Sequence, residues 1–302
     1  MDHESLVTAL EHFSVDEEFI VSSFSPSNAC FDLALRKGEQ RFLVKVLPNV
    51  DSFREVQALE LRQLAHLLHA VALVVGERTK TIQLKNGVAY DRYQVMTVSV
   101  ETFKEVLQGQ LPFIKSFKGQ ESVALDAQKL RHFRETTNLS LNELAHQSNL
   151  TPETIYRYEQ GLHATLASAK RLESIIGFSL RRPLSLVTPK NTPSLGQPLS
   201  DQSLAKLQSL GIQIQRFWHA PFRALSSTDS LVMDSAKEKE DLERKASWLK
   251  GTSHVFDTKP FLIAPVSRNI TSIDHVPLIS SDELKELKNK KELQRLLKER
   301  KE

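Results

Sequence analysis

The stretch Ser140–Gly161, SLNELAHQSNLTPETIYRYEQG, has the pattern of two short helices joined by a tight turn. Ser140 can cap the first helix, and Glu143, three residues later, can hydrogen-bond back to the Ser140 backbone. Thr151 can cap the second helix, and Pro152 suits its first position, where the missing N–H costs no hydrogen bond. This stretch therefore predicts a helix–turn–helix.

The spacing of the apolar residues indicates which face of each helix turns inward. Leu144 and Ala145 mark the inner face of the first helix, and Ile155 and Tyr158 mark that of the second. Polar residues are left on the outer face of the second helix. Because the second helix of such a motif lies in the DNA major groove, we expect residues 151–160 to form a recognition helix that binds double-stranded DNA.

Two further amphipathic helices, predicted over Ala127–Thr137 and Leu166–Ile176, enclose the motif. The resulting segment resembles the Cro/cI (XRE-type) helix–turn–helix domain of phage repressors, a lambda-repressor-like all-α bundle. The resemblance rests on residues in matching register: Leu144, Ala145, Leu150, Thr151, Ile155, Glu159 and Gly161.

The resemblance implies a role for individual residues. Ser140 takes the position where a helix N-terminus meets a phosphate. Arg157 is suited to a fork to guanine O6 and N7, and Glu153 could accept from a cytosine amino group. Arg134 and Glu159 take the positions of a structural ion pair. The full set of predicted DNA-binding residues is Ser140, Thr151, Pro152, Glu153, Thr154, Tyr156, Arg157, Gln160 and His163.

The first 119 residues alternate short strands with helices. Ala29–Arg36 and Arg41–Leu47 are predicted strands joined by a turn at Gly38. A leucine-rich helix within residues 52–70 and a buried strand at Val71–Val75 follow. This order is that of an α/β sandwich with a mixed sheet, and it resembles the restriction-endonuclease-like PD-(D/E)xK fold.

Nuclease chemistry in that fold needs two acids that hold a metal ion and a lysine that assists the attacking water. Asp32 fits the first acid and Lys45 fits the lysine, but the second acid position is occupied by Leu43. We therefore expect Asp32 and Lys45 to be remnants of a lost nuclease site. An acid from the next helix, Glu55 or Glu60, would restore the nuclease interpretation.

The last third of the chain begins with a linker rich in proline and serine, residues 188–201. A helix is predicted from Lys237 to Lys250, ending at Gly251. The charged tail, residues 286–302, is expected to be a solvated helix or a frayed end.

The element order of the first domain is expected to return between residues 202 and 302, as a degenerate repeat. In this second copy Arg223 takes the place of the acid, and Asp234 lies near the lysine position. This copy is therefore not expected to be a nuclease of that kind.

The predicted fold class is α/β plus all-α: a central lambda-repressor-like helix–turn–helix bundle flanked by two restriction-endonuclease-like α/β domains. The predicted divisions are 1–119, 123–187 with the motif at 140–159, the linker 188–201, and 202–302. Taken whole, the chain resembles the archaeal helix–turn–helix transcriptional regulators that carry a degenerate endonuclease-like N-terminal domain. The resemblance implies sequence-specific transcription regulation rather than enzymatic activity. Outside the motif it is carried by stretches such as FDLALR and ERTKTIQLKNGVAYDRY.

Composition and charge narrow the function further. The 302 residues carry a net charge of +3 and one cysteine, Cys30, so no intrachain disulfide can form. The N-terminus lacks the basic and apolar regions of a signal peptide, and no apolar run is long enough to span a membrane. We expect a cytoplasmic protein with no cofactor, no metal site and no catalytic residue.

Residues 123–187 carry a net charge of only +2, from eight basic against six acidic residues. One copy would make few phosphate contacts, so we expect a homodimer on palindromic half-sites. Two alternatives remain open: a metal-dependent DNA nuclease targeted by the helix–turn–helix, or an interaction scaffold with weak DNA binding. A small-molecule effector is not defined by the sequence.

Overall fold

The computed structural model describes residues 1–24, 28–117, 119–187, 201–235, 240–265 and 270–300. Its contacts divide the chain into two compact units. The first comprises residues 1–48, 52–73 and 188–302, and the second comprises 49–51 and 74–187. Of the predicted linker 188–201, all but Asp201 lies outside the described residues.

The N-terminal part of the first unit is a helix, a three-stranded antiparallel ladder and a second helix. The turn between the second and third strands contains Gly38 in the left-handed region, at φ +57°, as the hairpin prediction requires. Leu43 lies on the third strand and is fully buried in the core. The elements are α1 (His3–Asp16), β1 (Ile20–Ser23), β2 (Leu33–Lys37), β3 (Gln40–Asn49) and α2 (Glu55–Leu67).

The first elements of the second unit are β4 (Val71–Arg78), β5 (Val88–Arg92), β6 (Val95–Ser99), α3 (Val100–Leu107), β7 (Ile114–Phe117) and β8 (Gln120–Leu125). The boundary between the two units falls within β4, before residue 74. Strands β5 and β6 form an antiparallel hairpin, β5 runs parallel to β7, and β7 and β8 form another hairpin around Gly119. The predicted domain boundary between residues 119 and 123 lies inside this hairpin, and the predicted domain limits stay a prediction.

A four-helix bundle completes the second unit. The elements are α4 (Ala127–Thr136), α5 (Leu141–Ser148), α6 (Pro152–Glu159), α7 (Leu166–Ile176) and β9 (Arg181–Arg182). Val123 and Leu125 of β8 share one apolar core with Leu144, Ile155 and Tyr158 of the bundle. Strand β9 after the bundle pairs with β8 before it, so both ends of the bundle are fixed to the same strand.

The C-terminal part of the first unit is a six-stranded mixed sheet with helices. The elements are α8 (Gln202–Ser209), β10 (Gln215–Arg216), β11 (Ala224–Ser226), β12 (Leu231–Ser235), α9 (Glu240–Phe256), β13 (Lys259–Ala264), β14 (Ser272–Ile273), β15 (Val276–Ser280), α10 (Ser281–Glu286) and α11 (Lys290–Glu299). The strand order is β10-β11-β12-β13-β15-β14, with β12, β13 and β15 parallel and the other pairs antiparallel.

This part has the same chain order of elements as residues 3–107. Each begins with a helix and three antiparallel strands, continues through a helix and a strand, and ends with an antiparallel hairpin and a helix.

Gly251 does not end helix α9, contrary to the prediction, and the helix continues to Phe256. The Ser22 hydroxyl of β1 donates to the Gly251 carbonyl at 3.1 Å. A Cβ at position 251 would lie 3.1 Å from the Ser22 Cβ. The glycine therefore permits close approach of helix and strand, which a sequence pattern cannot distinguish from a helix stop.

The charged tail is packed, which corrects the expectation of a solvated helix or a frayed end. Leu293 and Leu297 of α11 are buried in the core of the C-terminal sheet. Arg300 forms a fork to Glu283, with Nη2–Oε1 at 2.6 Å and Nη1–Oε2 at 3.2 Å. Charged residues of both signs cover the outer face of α11, and their number obscured the spacing of the apolar residues in the sequence.

The Glu283–Arg300 contact predicts a loss of stability in acid. Hydrogen bonding to Arg300 lowers the pKa of Glu283 from 4.5 to about 2. The ionised Glu283 carboxylate contributes fully to the free energy of unfolding above pH 4.5, and this contribution is lost as the pH falls toward about 2. A pKa shift of this size corresponds to at most about 3 kcal/mol. Thermal unfolding between pH 2 and 6 should therefore be less pH-dependent in Glu283→Gln than in the wild type.

Glu299→Gln, at an exposed carboxylate of α11 directly before Arg300, is the control and should retain the wild-type profile. Equal pH profiles for Glu283→Gln and Glu299→Gln would contradict this assignment.

No helix in the described part of the chain is both long and apolar enough to cross a membrane.

Candidate nucleic-acid interface

Capping hydrogen bonds define both helices of the motif. The Ser140 N–H donates to Glu143 Oε2 at 2.7 Å, and the Glu143 N–H donates to Ser140 Oγ at 3.2 Å. Thr151 Oγ1 accepts from the Thr154 N–H at 3.2 Å, with Pro152 at the first position of α6. Because these bonds satisfy N–H groups that a helix start leaves free, the two helices begin at fixed residues.

The turn between α5 and α6 depends on Asn149, which adopts the left-handed conformation at φ +51°. Asparagine tolerates this region better than most residues. The Leu150 N–H then donates back to the Ala145 carbonyl at 2.9 Å, which closes the end of α5. The turn sets the angle between the two helices.

An ion pair between Arg134 and Glu159 links the first helix of the bundle to the end of the third. Arg134 Nε lies 2.6 Å from Glu159 Oε1, and Nη2 lies 2.9 Å from Oε2. The Glu159 side chain is 4% exposed and that of Arg134 is 16% exposed. The hydrogen bond to Glu159 raises the pKa of Arg134. This two-bond contact fixes the orientation of α6 in the bundle.

The outer face of α6 is open to solvent. Of the nine residues predicted to bind DNA, all are exposed except Thr154, which is half-buried. The inner face, Ile155 and Tyr158, is buried. The side chains named for base and phosphate contacts are thus accessible in the free protein, whereas the contacts themselves remain a prediction.

Arg157 and Glu153 form an ion pair along this exposed face. Arg157 Nη2 lies 2.6 Å from Glu153 Oε1, one helical turn away, and both side chains are more than half exposed. Such a pair is worth about 0.3–0.5 kcal/mol. The guanidinium is therefore positioned on the outer face, and its release to a base edge costs little.

Asp32 and Lys45 lie together in the core of the first unit. Lys45 Nζ is 2.9 Å from Asp32 Oδ1, and the Val46 N–H donates to Oδ2 at 2.6 Å. His3 Nε2 lies 3.3 Å from Asp32 Oδ1, and the hydrogen bond between the two side chains raises the pKa of His3. Both members of the pair are buried, and the carboxylate is occupied by protein groups.

Glu55 and Glu60 are the two residues that could replace the missing second acid of a nuclease site, and their surroundings differ. Glu60 is buried and accepts from the Trp218 N–H at 3.0 Å and the His219 N–H at 2.7 Å. Glu55 lies exposed at the start of α2. Among the residues that the structure describes, no three His, Cys, Asp or Glu side chains are grouped so that they could hold a metal ion.

Comparison with known proteins gives family matches for two segments of the chain. A PD-(D/E)XK superfamily domain model covers residues 3–112, and a helix-turn-helix model covers residues 130–182. A Methanothermobacter thermautotrophicus protein named "Putative HTH-type transcriptional regulatory protein" is 32% identical, over 90% of this chain and 89% of its own. The chain belongs to this archaeal family of HTH-type transcriptional regulatory proteins. Further members come from Thermoplasma volcanium (30% identity, 95% of both chains) and Methanocaldococcus jannaschii (27%, 96% and 95%).

No solved structure matches the chain. The relatives confirm the predicted resemblance to archaeal helix–turn–helix transcriptional regulators. The two matched models also agree with the coarse fold class, an α/β part with mixed sheets and a helix–turn–helix.

One basic residue beside the motif was not predicted. Arg171 on α7 is exposed and donates to the Asn149 carbonyl at 3.4 Å, directly at the turn. Its position on the polar face of α7 is visible in the helical period, but its proximity to the turn depends on how α7 packs.

Proposed function

We propose that the protein is a sequence-specific DNA-binding transcriptional regulator, with the recognition helix at residues 151–160 in the major groove. The observation that supports this most is the outer face of α6. It is exposed, it carries Arg157, and it is held in the bundle by the Arg134–Glu159 fork. Arg157 supplies the fork to a guanine, and Glu153 and Tyr156 supply neighbouring contacts.

The N-terminus of α5 is proposed as the phosphate contact. Ser140 is exposed at its cap, and helix N-termini bind phosphate through free N–H groups and the helix dipole. A phosphate there would fix the register of α6 in the groove without reading sequence.

Selection of bound genomic fragments at a fixed salt concentration tests the proposal. A regulator should enrich a short common sequence and bind it at least about a thousandfold more tightly than random DNA. Equally weak binding to random and genomic DNA would instead favour the scaffold alternative.

Arg157→Ala is expected to weaken binding to the selected site by about 1–3 kcal/mol, or about 5- to 150-fold. The loss should be confined to sites with the contacted base, because the removed fork reads that base. Competition binding against single-base variants of the site measures it.

Arg131→Ala is the matched control, since it removes one exposed arginine from α4, outside the recognition helix. Unchanged affinity of Arg157→Ala for the selected site would show that the recognition helix is placed wrongly.

We further propose that two chains bind together as a homodimer. The low net charge of the middle segment supports this, because a second copy doubles the phosphate contacts. Footprints with two half-sites about one helical turn apart would be the expected sign.

The C-terminal part is proposed to be a degenerate copy of the endonuclease-like domain. The Asp32 N–H donates to the Val44 carbonyl, one residue before Lys45; the Arg223 N–H donates to the carbonyl that precedes Asp234. The pair Asp32–Lys45 and the pair Arg223–Asp234 therefore occupy equivalent register positions, with the acid and the base exchanged. This copy lacks the acids of a nuclease site.

A metal-dependent nuclease is a second candidate, which the family match over residues 3–112 and the 2.9 Å contact of Asp32 with Lys45 favour. Plasmid nicking with Mg²⁺ or Mn²⁺ tests it. Cleavage by the wild type that vanishes in Asp32→Ala would establish the nuclease, whereas we expect no metal-dependent cleavage.

A further inference from the structure

The segment 123–187, which the structure describes in full, neutralises most of its own charge. Of its six acidic residues, Glu143 caps α5 through Ser140, and each of the others lies within 3.9 Å of a basic side chain. Among the described residues, three of its eight basic side chains have no carboxylate partner: Lys170, Arg171 and Arg182. The ion pairs are Lys129–Asp126, Arg131–Glu135, Arg134–Glu159, Arg157–Glu153 and Arg181–Glu173.

The outer face of the recognition helix adds no net positive charge. Its cation, Arg157, lies 2.6 Å from the carboxylate of Glu153. Attraction to DNA phosphates depends on cations whose counterions are released on binding, and a carboxylate beside the cation offsets that attraction. The outer face of α6 is therefore suited to reading bases, and the salt-dependent attraction has to come from other residues.

Two of the three cations without a carboxylate partner are neighbours on α7. Lys170 and Arg171 are exposed, whereas Ala169 and Leu172 on either side of them are buried in the bundle core. The carboxylate of the same helix, Glu173, lies 3.0 Å from Arg181 Nε and is thus already paired. The exposed face of α7 presents two adjacent cations to solvent.

Arg171 places this charge at the helix–turn–helix. Its Nη1 donates to the Asn149 carbonyl at 3.4 Å, and Asn149 lies in the turn two residues before Thr151, the N-cap of α6. A guanidinium has five N–H groups, and this contact uses one of them. The remaining N–H groups can form the forked hydrogen bonds that arginine makes with phosphate.

We propose that Lys170 and Arg171 form a surface that binds the phosphate backbone of double-stranded DNA beside the helix–turn–helix. A phosphate bound at the turn flanks the groove that α6 enters and fixes the position of that helix. This surface supplies more of the salt-dependent attraction than the recognition helix does. The proposal rests on the proposed DNA binding but not on its sequence specificity, since phosphates carry no sequence information.

The salt dependence of DNA binding by the full chain tests this surface. Fluorescence anisotropy with a labelled duplex of random sequence gives the affinity over a range of about 50–200 mM salt. Each phosphate contact adds about 0.9 to the slope of log affinity against log salt concentration. The double variant Lys170→Met, Arg171→Met should therefore lower the slope by about 1.8 per bound chain and weaken binding at least about tenfold near 100 mM salt.

Two further measurements separate a phosphate contact from other roles. The double variant should lose affinity for a selected site and for random DNA by the same factor, whereas Arg157→Ala should lose it for the selected site alone. Arg171→Lys should retain most of the wild-type slope, because it keeps the charge while losing the fork.

Arg182→Met is the matched control, because it removes an exposed cation that likewise has no carboxylate partner in the described segment, on β9 instead of α7. It should retain the wild-type slope. Lys170→Met leaves the Arg171–Asn149 contact intact and should lower the slope by about 0.9. It decides the question even if substitution of Arg171 disturbs the turn, and unfolding temperatures show whether each variant is folded.

Three results would overturn the proposal: a wild-type slope in folded Lys170→Met, an equal loss of slope in Arg182→Met, or no binding of the wild type to any duplex at low salt. Failure of the regulator function has a different signature. Binding to random DNA with the expected slopes but no enriched sequence would contradict only the regulator. Sequence-specific binding with an unchanged slope in the α7 variants would contradict only this surface.

Discussion

Glu159→Ala is expected to destabilise the helix–turn–helix bundle by about 3 kcal/mol, the lower end of the range for a buried ion pair that loses one partner. The carboxylate it removes is 4% exposed and accepts two bonds from Arg134. The guanidinium would then be left largely buried, and its remaining counter-charge would be the exposed Glu135 carboxylate, 3.9 Å from Nη2. Hydrogen exchange measured by mass spectrometry on the full chain should show amides of α5 and α6 exchanging about 100-fold faster.

The neighbouring pair Arg131–Glu135 is the control. It is exposed and lies on the same first helix, so Glu135→Ala should change exchange in the bundle by no more than about fivefold. The double variant Arg134→Met, Glu159→Leu should recover much of the loss, because neither charge is left buried. If Glu159→Ala exchanged no faster than Glu135→Ala, the fork would not hold α6 in place.

Lys45→Met is expected to destabilise the N-terminal part of the first unit by about 3–5 kcal/mol, since it leaves the buried Asp32 carboxylate without its main cation. His3 would be the remaining cationic group on Asp32. Because the pKa of His3 is raised, its contribution is complete below pH 6.5 and is lost as the pH rises through the folded-state pKa. The loss measured by exchange in β2 and β3 should therefore be larger at pH 8 than at pH 6.

Lys37→Met, at an exposed lysine of β2, is the matched control and should have little effect. The double variant Asp32→Asn, Lys45→Met should be more stable than Lys45→Met alone. A Lys45→Met variant that is as stable as the wild type, or more so, would indicate a pair kept for chemistry at a cost in stability. That result would favour the metal-dependent nuclease as the function of this domain.

Local sequence was sufficient to predict the helix–turn–helix. Its caps at Ser140 and Thr151, its turn and its inner face are all defined within 22 residues, because capping bonds and helical period involve neighbours three or four positions apart. The pattern around Asp32 and Lys45 was informative for the same reason, since a short hairpin places the two strands side by side.

Tertiary structure decided the rest, because the partners lie far apart along the chain. Glu60 accepts from backbone groups 158 and 159 residues away, which no periodicity encodes. Gly251 allows close approach to Ser22, and the tail helix buries two leucines under its charges. The sequence by itself determined the motif and the family, whereas only packing determined which buried acid is a structural acceptor.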